Sequence, residues 1–483
     1  MHSPNEETRP GEIQGAAAGP PEGPSPRRVW IILLLILMGS TGLKLGLVDA
    51  VKDQKRVGDQ RQYLIGSRAV YRTGEVAYTF EQWDEAHSSP AYPYGLGYLR
   101  HVFPAETYRP SVLSIQAVIS SLTALLTFII ARRCFGPGNA LWSAGLVAFL
   151  PSFIAYSQLF LTETLYTFLF LAVTAILITA RGRVGPGRAL VAGLVGGVTA
   201  LTKSQFVVLS PLVVIWLVVQ GLSPSAKQES GATPKKAAVL AVCAYVFGLF
   251  LIVAPWSIRN TLRYDHFLMV DSNPGNVLYK NWNAFDPENH DVGLFGTWED
   301  KAAEYAGEIP SRERSTEENV AVRNSAEVKA AIEFVLAHPA HFLGHCWQRT
   351  LALFNPTSFL IRRIREGKSV PLPKFWEEAI VWTTILSIGA ILVFSVIGIT
   401  TVKPNVRALL PLLLLFGCTV LCVAILSTSR YRFPMLPFLI MFAMDGLRRL
   451  PTLVKKPSRG LILTVPILLV MALAFYRYAP LSL

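Results

Sequence analysis

Long apolar runs dominate this chain of 483 residues and leave it few ways to fold. A helix needs about 20 apolar residues to cross a bilayer, because the hydrocarbon core is about 30 Å thick. Eleven runs approach or reach that length, at about 29–48, 111–131, 138–157, 162–180, 189–202, 204–220, 237–256, 376–400, 407–427, 434–447 and 460–477. Charged residues make up only 16% of the chain, against about 25% in soluble domains. The sequence therefore predicts an all-α polytopic membrane protein with about 11 transmembrane helices.

Basic residues cluster in alternate loops between these runs. The groups that fall on one side are Arg27 and Arg28, Arg132 and Arg133, Arg181, Arg183 and Arg188, Lys235 and Lys236, Lys403 and Arg407, and Arg448, Arg449, Lys455 and Lys456. Cytoplasmic loops are enriched in lysine and arginine, so this side is predicted to be cytoplasmic. The loops 49–110 and 257–375 then lie outside. We expect the net charge of +13 to face anionic membrane lipid, and we expect no nucleic-acid partner.

This topology divides the chain into four parts. Residues 1–28 are rich in Pro, Gly, Ala and Glu and are expected to form a disordered cytoplasmic tail. Residues 29–256 are expected to form an N-terminal transmembrane module that includes the external loop 49–110. Residues 257–375 form a second extracytoplasmic region, and residues 376–483 supply the C-terminal transmembrane helices. We expect a multi-pass protein of the inner (plasma) membrane, with helices on the membrane surface in both external regions.

The first external loop opens with a polar stretch, VGDQRQYLIGSRAVYRTGE, at 57–75. Apolar and small residues recur in it at helical spacing, which predicts a short helix along the membrane surface. Asp59 and Gln62 fit a capping box, with the acid as N-cap and the amide at N3. The pattern leaves two roles open for Asp59, a helix cap or a reactive carboxylate just outside the first span.

Two of the apolar runs are short for a bilayer. The run 189–202 rises only about 21 Å as a helix, against a hydrocarbon core of about 30 Å, and the run 434–447 is similar. Lys203 ends the first of these runs and is therefore predicted to lie below the outer surface. An ionisable side chain at such depth indicates a functional site.

Several motifs follow one another along the chain. They are DQRQY at 59–63, SPAYPYGLGYL, LTETLYTFLFLA, ALTKSQ, APWSIRN, FVLAHPAHFLGHCWQRTLALF and SRYRFPMLPFLIMFA. This ordered set spans most of 30–445 and resembles the polyprenyl-phosphate-dependent glycosyltransferases of the GT-C type. The similar group is the protein-mannosyltransferase-like one, glycosyltransferase family 39. One departure is Ala91, which stands where that family usually has glycine.

The resemblance implies a GT-C fold and an inverting transfer of a sugar from a polyprenyl-phosphate donor. The donor tail stays in the bilayer, and the acceptor is a glycan, lipid or protein hydroxyl at the outer face. Such a reaction needs a base for the acceptor hydroxyl and cations or dipoles for the leaving phosphate. The sequence contains no Walker loop and no GxGxxG signature, which fits a lipid-linked donor rather than a nucleotide sugar.

The resemblance also assigns roles to two acids. Asp59 is the candidate base, because it follows a span closely and can lie at the height of the sugar. Glu163 is expected to share the pocket and to orient the acceptor or a cation. From its position alone, Glu163 is equally explained as a carboxylate at a helix start, which the helix dipole stabilises by about 0.3–1 kcal/mol.

Five residues predicted near external span ends are candidates for binding the donor phosphate. They are Lys203, Arg259, Arg430, Tyr431 and Arg432. Arginine offers a planar fork to phosphate oxygens, and lysine offers a point charge. Basic residues at span ends also snorkel to lipid headgroups, and a tyrosine there also serves as an interfacial anchor.

Tyrosines of the first loop are candidates for the substrate groove. Tyr63 belongs to the DQRQY motif, and Tyr92 belongs to SPAYPYGLGYL. Aromatic rings in this loop either stack on sugar faces or pack onto the bilayer, and the sequence does not distinguish the two.

The second external loop is predicted to contain two helices. One runs from about 316 to 337, where Ser315 and Glu318 offer a capping box. The other, at 340–354, has an apolar face and a polar face and is interpreted as an amphipathic helix on the membrane surface.

No metal site is assigned. His341 and His345 share a helix face beside His338, but no HExxH pattern accompanies them, so they are interpreted as interfacial or solvent-facing. The five cysteines show no metal-binding spacing. No cofactor is predicted with certainty, and a divalent cation at the main site stays open, because some GT-C enzymes use one.

Two other classes compete with the glycosyltransferase interpretation. A transporter or flippase of lipid-linked sugars would also have apolar spans and a basic pocket, but the chain shows no evident internal repeat of the kind that many transporters have. A GT-C-like ligase would join whole oligosaccharides. A carboxylate base at Asp59 separates the transporter from the enzymes, since transport has little need of one.

Overall fold

The structure is a computed structural model that describes residues 25–78, 85–223, 233–283, 319–356, 359–367, 372–402, 405–425, 429–455 and 460–482. Within these ranges the regular elements are helices, and no strand occurs. The prediction of an all-α membrane protein is therefore confirmed.

Twenty α-helices are present in the described ranges. They are α1 (Pro26–Gly46), α2 (Val48–Val51), α3 (Asp59–Thr73), α4 (Ala91–Val102), α5 (Ala105–Phe135), α6 (Pro137–Phe149), α7 (Pro151–Ser157), α8 (Glu163–Ile178), α9 (Pro186–Thr202), α10 (Gln205–Leu222), α11 (Pro234–Tyr264), α12 (Asn273–Asn283), α13 (Val320–Ala337), α14 (Pro339–Phe354), α15 (Phe359–Arg365), α16 (Lys374–Thr401), α17 (Val406–Ala424), α18 (Ser429–Arg432), α19 (Leu436–Lys455) and α20 (Gly460–Ser482). A 3-10 helix, Phe433–Met435, joins α18 to α19.

Each of the eleven apolar runs overlaps at least one helix of the described residues, but these helices do not all have the length of a span. Six helices in the described ranges are long and apolar enough to cross a membrane, or seven if α6 and α7 are one span bent by 51°. The predicted count of eleven spans is not confirmed. Helices α8 and α9, with 16 and 17 residues, are shorter than the roughly 20 residues that a crossing usually needs.

Glycine sets the closest contact between helices α9 and α11. A Cβ added at Gly193 would lie 2.1 Å from the carbonyl oxygen of Tyr245. On the facing helix, a Cβ added at Gly248 would lie 2.5 Å from the carbonyl oxygen of Leu190. Small residues allow membrane helices to approach in this way. The contact fixes α9 against α11, and it thereby fixes the position at which α9 ends, next to Lys203.

The first external loop forms a pair of packed helices, α3 and α4. Gly97 of α4 lets α3 approach, since a Cβ there would lie 2.5 Å from the Val70 side chain. Helix α3 begins at Asp59 after Gly58, whose φ of 57° favours glycine. Gly58 is the N-cap, and within the described residues no side-chain hydrogen bond caps the helix. The predicted capping box of Asp59 and Gln62 is therefore wrong, because the Asp59 carboxylate binds a distant side chain instead.

The helix predicted at about 316–337 in the second external region starts slightly later in the structure. Helix α13 begins at Val320, and the side chain of Asn319 caps it by accepting a hydrogen bond of 3.0 Å from the backbone nitrogen of Ala321. The predicted cap at Ser315 and Glu318 lies outside the described residues.

Helix α14 turns part of its polar face toward the protein. Arg349 is buried and donates to the carbonyl oxygen of Ala424 at 2.8 Å, and His345 is also buried. The last carbonyls of α17 have no partner within their own helix, so they accept from a neighbour such as Arg349. Trp347 is exposed on the other side. The prediction of a surface helix whose polar face is solvated is corrected at these two buried positions.

We expect Gly193→Ala to destabilise the protein by about 1–3 kcal/mol, because the new methyl group requires α9 to move away from α11. Gly42→Ala on α1 is the matched control, since among the described residues no atom outside its chain neighbours and its own helix backbone lies within 4 Å of its added Cβ. Thermal unfolding of both purified variants in detergent measures the difference. Equal melting temperatures would show that the α9–α11 contact does not limit stability.

Candidate active site

Four charged side chains from distant segments meet at helix ends. Asp59 and Glu163 are the first residues of α3 and α8, Lys203 follows α9, and Arg430 lies in α18. We call these four residues the site cluster. Its most distant members, Asp59 and Arg430, are 371 positions apart in the chain. Helix ends bring such side chains together because several helices can converge there without their regular backbones colliding.

Arg430 is the centre of the site cluster. Its Nε donates to Oε1 of Glu163 at 2.5 Å, and one of its terminal nitrogens donates to Oδ2 of Asp59. The Nζ atom of Lys203 lies 3.4 Å from the same Oε1 atom of Glu163. One guanidinium thus bridges two carboxylates, and one carboxylate oxygen contacts two cations. The two positive and two negative charges cancel.

The two carboxylates differ in access to solvent. The side chain of Glu163 is 0% exposed, whereas that of Asp59 is 36% exposed. The Oε2 atom of Glu163 is buried and has no hydrogen-bond partner among the described residues. An unsatisfied buried oxygen costs about 1–3 kcal/mol, and groups of this kind concentrate at functional sites. An incoming hydroxyl can reach Asp59 but not Glu163.

The electrostatic surroundings fix two protonation states at the cluster. Burial opposes the charge of Arg430, but Glu163 and Asp59 outweigh it and raise the pKa of the guanidinium well above its usual value. Burial, with the negative charge of Asp59, also raises the pKa of the Tyr63 phenol well above its usual value. Arg430 is therefore always cationic, and Tyr63 keeps its hydroxyl proton.

The tyrosines predicted at the site lie beside the cluster. The ring centroid of Tyr431 lies 4.6 Å from Nζ of Lys203, which is a cation–π contact. Tyr63 and Tyr92 meet edge to face, with centroids 5.2 Å apart. The Tyr92 hydroxyl donates to Oε1 of Gln116 at 2.8 Å. Both Tyr63 and Tyr92 are buried, so they support α3 from within the protein.

Two of the predicted phosphate ligands make their described contacts elsewhere. Arg259 lies 3.2 Å from a carboxylate oxygen of Glu85 and 3.7 Å from one of Glu75. Arg432 is 2% exposed and donates to the carbonyl oxygen of Asn355 at 2.6 Å. Arg259 thus links α11 to the first external loop, and Arg432 links α18 to the end of α14.

A chain of hydrogen bonds that the sequence analysis missed holds the segment around Lys203. Lys203 is extended, with φ −156° and ψ 113°, in the break between α9 and α10. The backbone nitrogen of Ser204 donates to Oγ of Ser89 at 3.0 Å, and the Ser89 hydroxyl donates to Oδ2 of Asp271 at 2.5 Å. The only sequence signal is that Ser89 opens the SPAYPYGLGYL motif. No local pattern connects it to Asp271.

No metal centre is evident in the described part of the chain. Among these residues, no group of three or more His, Cys, Asp or Glu side chains could hold a metal ion. The rings of His341 and His345 lie close, with centroids 4.1 Å apart, and the ring of His338 packs on Phe334. These histidines therefore contact aromatic neighbours on α13 and α14.

The fold and the site cluster define an all-α membrane protein with a charged site where α3, α8, α9 and α18 meet. Residues 89–258 match the family model described as dolichyl-phosphate-mannose-protein mannosyltransferase. The match confirms the resemblance to the protein-mannosyltransferase-like group of GT-C glycosyltransferases. The matched segment contains Glu163 and Lys203, whereas Asp59 and Arg430 lie outside it.

Solved structures of two kinds of membrane transferase are similar to this chain. The archaeal oligosaccharyltransferase AglB from Archaeoglobus fulgidus, in complex with an inhibitory peptide and a dolichol-phosphate, aligns with a TM-score of 0.49 and 15% identity over 94% of this chain and 56% of its own. The chain thus spans about half the length of that protein. ArnT from Cupriavidus metallidurans bound to undecaprenyl phosphate aligns with a TM-score of 0.35 and 12% identity, over 90% and 82% of the two chains. No curated protein matches the chain.

We expect Arg430→Gln to destabilise the protein by about 3–5 kcal/mol, because it leaves the buried Glu163 carboxylate with Lys203 as its only described cation. The double variant Glu163→Gln/Arg430→Gln is expected to recover part of this loss, since the buried side chain at 163 is then neutral, although Lys203 loses its carboxylate partner. Unfolding of the single and double variants in detergent measures the coupling between the two residues.

The pair of Arg365 and Glu378 provides the control for this comparison, because its side chains are 36% and 46% exposed rather than buried. Arg365→Gln is expected to change stability little, as for most exposed ion pairs. Additive losses in the Glu163 and Arg430 single variants would contradict a coupled buried pair.

Proposed function

We propose that this chain is an inverting GT-C glycosyltransferase that transfers a sugar from a polyprenyl-phosphate donor to an acceptor hydroxyl at the extracytoplasmic face of the inner (plasma) membrane. The observation that carries the proposal is the convergence of Asp59, Glu163, Lys203 and Arg430 at one site. The family match over 89–258 supports a polyprenyl-phosphate-linked donor. The acceptor is a glycan, lipid or protein hydroxyl.

In this proposal Asp59 is the base that takes the proton of the acceptor hydroxyl. It is the one carboxylate of the cluster that is open to an incoming molecule. Inversion at the anomeric carbon needs a single such carboxylate. Glu163 is buried too deeply to touch an acceptor, so it acts as a positioning residue that holds Arg430 and Lys203.

Lys203 and Arg430 supply the positive charge for the donor phosphate, with Tyr431 beside Lys203. Because the four charges of the cluster cancel, a phosphate must compete with the carboxylates for these cations. A phosphate oxygen that draws Arg430 away from Asp59 frees that carboxylate to accept a hydrogen bond from the acceptor hydroxyl. Donor binding and activation of the base are thereby coupled through one guanidinium.

The remaining predicted site residues have supporting roles in this proposal. Tyr63 stands beside Asp59 with its hydroxyl proton retained, and Tyr92 packs behind Tyr63. Arg259 and Arg432 are left out of the phosphate site, because their described partners are loop carboxylates and a backbone carbonyl. We assign no metal or other cofactor.

The proposed division of the chain places the two halves of the site in different parts. The module 29–256 carries both acids and Lys203, and the C-terminal part 376–483 carries Arg430. The region 257–375 lies between them in sequence and contributes Asp271, which fixes the segment around Lys203 through Ser89. Completion of the site therefore requires the two transmembrane parts to dock.

We expect Asp59→Asn to slow sugar transfer by about 10²–10⁴-fold, because the amide cannot accept the hydroxyl proton. Purified protein in nanodiscs is incubated with a panel of synthetic polyprenyl-phosphate sugars and with envelope extract as acceptor. Mass spectrometry follows the loss of each donor and identifies the sugar. Asp49→Asn is the matched control, because that carboxylate is exposed in the same loop and pairs with Lys52.

The outcome separates the candidate classes. If Asp59→Asn consumes the donor at the same rate as the wild type, Asp59 is not the base. If a fluorescent lipid-linked sugar crosses the bilayer and no donor is consumed, the protein is a transporter or flippase and not a glycosyltransferase. Transfer only from donors that carry whole oligosaccharides would identify a ligase.

We expect Lys203→Gln to raise the KM for the polyprenyl-phosphate donor by about 10–100-fold, the effect of losing one charge-assisted hydrogen bond. The KM for the acceptor is expected to stay the same. Lys52→Gln is the control, since Lys52 pairs with the exposed Asp49 away from the cluster. An unchanged donor KM in Lys203→Gln would assign Lys203 to structural support of Glu163 alone.

A further inference from the structure

A cationic pocket lies against α3, outside the site cluster. It has a volume of about 410 Å³, and five of the nine residues that line it are basic. These five are Lys55, Arg56, Arg61, Arg68 and Arg109, and no acidic residue is among the described residues of the lining. Like charges around one space repel each other, and a bound anion relieves that repulsion.

The geometry of α3 separates this pocket from the site cluster. Arg61, Leu64 and Arg68 follow the spacing i, i+3, i+7, so they share one face of the helix. With 3.6 residues per turn, Asp59 lies on the opposite face. Gly58, just before Asp59, also lines the pocket. The two sites therefore approach each other at the N-terminal end of α3, about one helix diameter, or ~10 Å, apart.

Arg56 is a fixed part of the pocket. It is 5% exposed, and its terminal nitrogens donate to the carbonyl oxygens of Val51 at 2.6 Å and Gln158 at 3.3 Å. Its Nε is buried and has no hydrogen-bond partner among the described residues. Burial and the like charge of Arg109 lower the pKa of Arg56 to about 10. A held guanidinium with an unused donor is suited to bind an oxyanion.

The rest of the lining suits an amphiphile. Leu64 and Ile65 are apolar, and Arg109 stands in the second turn of α5, a helix long enough to cross the membrane. The pocket lies on the predicted external side, where basic residues are not favoured by the positive-inside rule. A ligand with a phosphate headgroup and an apolar chain satisfies both the cations and the apolar wall.

We infer that this pocket binds a phosphate group of the sugar acceptor, an amphiphile whose hydroxyl reaches Asp59 around the N-terminal end of α3. The inference rests on the proposed glycosyltransferase function. The cations of the site cluster are matched by carboxylates and serve the donor. The basic side chains on the other face of α3 are unmatched by acids in the described lining, so they serve the second substrate.

Binding of a soluble probe tests the pocket itself. Dihexanoyl phosphatidic acid is titrated calorimetrically into the full-length protein in an uncharged detergent. We expect Arg61→Gln/Arg109→Gln to bind this probe about tenfold more weakly than the wild type, and added salt to weaken wild-type binding. Dihexanoyl phosphatidylcholine, whose phosphate charge is balanced by choline, is expected to bind the wild type more weakly than the acid does.

Arg72→Gln is the matched control, because Arg72 is an exposed arginine in the last turn of α3 and does not line the pocket. It is expected to keep the wild-type affinity for the probe. Equal probe affinity of the wild type and the double variant would overturn the anion site.

Transfer kinetics show whether the pocket binds the sugar acceptor or a membrane lipid that takes no part in the reaction. With envelope extract as acceptor, the double variant is expected to raise the apparent KM for the acceptor about tenfold. It is expected to leave the KM for the donor unchanged. Weaker probe binding with an unchanged acceptor KM would assign the pocket to a membrane lipid and overturn the acceptor assignment. If the wild type consumes no donor, the proposed function and the acceptor assignment both fail, while probe binding still reports on the anion pocket.

Discussion

A single guanidinium, shared between two carboxylates, joins three of the four segments on which the candidate site depends, and Lys203 joins the fourth through Glu163. Glu163 is an acid with a fully buried side chain, and a buried carboxylate is stable in its ionised form only if cations accompany it. Arg430 and Lys203 are those cations, and each comes from a different part of the chain. The starts of α3 and α8, the break after α9 and the short helix α18 are therefore held together by charge as well as by packing. Lys203 reaches Glu163 from the extended break between α9 and α10.

The same charge balance limits what the site can do at rest. Two cations and two carboxylates leave no excess positive charge. An anionic donor can therefore bind only if its phosphate replaces a carboxylate as the partner of one of the cations. Asp59 is the carboxylate that can give up its partner, because it is partly solvated and Glu163 is not. In the proposed reaction the residue that must accept the proton is thus the one whose salt bridge is the less costly to open.

Sequence patterns identified the members of the cluster but could not identify their partners. The resemblance assigned Asp59 and Glu163 to one pocket, the depth predicted for Lys203 indicated a functional site, and Arg430 was predicted near an external span end. Arg259 and Arg432 have the same local signature, yet one pairs with Glu85 and the other with a backbone carbonyl. The capping pattern at Asp59 failed for the same reason, because a bond to a residue 371 positions away took the carboxylate that local geometry would have used. Apolar runs predicted where helices form, but not which of them have the length of a membrane crossing.

Charge segregation around α3 shows why composition alone could not reveal the second pocket. The loop 49–110 contains eight basic and eight acidic residues, so its charge sums to zero. Helical periodicity places Asp59 on one face of α3 and places Arg61 and Arg68 on the other. Folding then adds Arg56 from the preceding turn and Arg109 from α5 to the basic face. Helix α3 of this neutral loop thereby separates the site cluster, whose charges cancel, from a pocket whose described lining is cationic. This arrangement suits the proposed reaction between two anionic lipids, because the acceptor phosphate would then stay away from the cations proposed to bind the leaving phosphate of the donor.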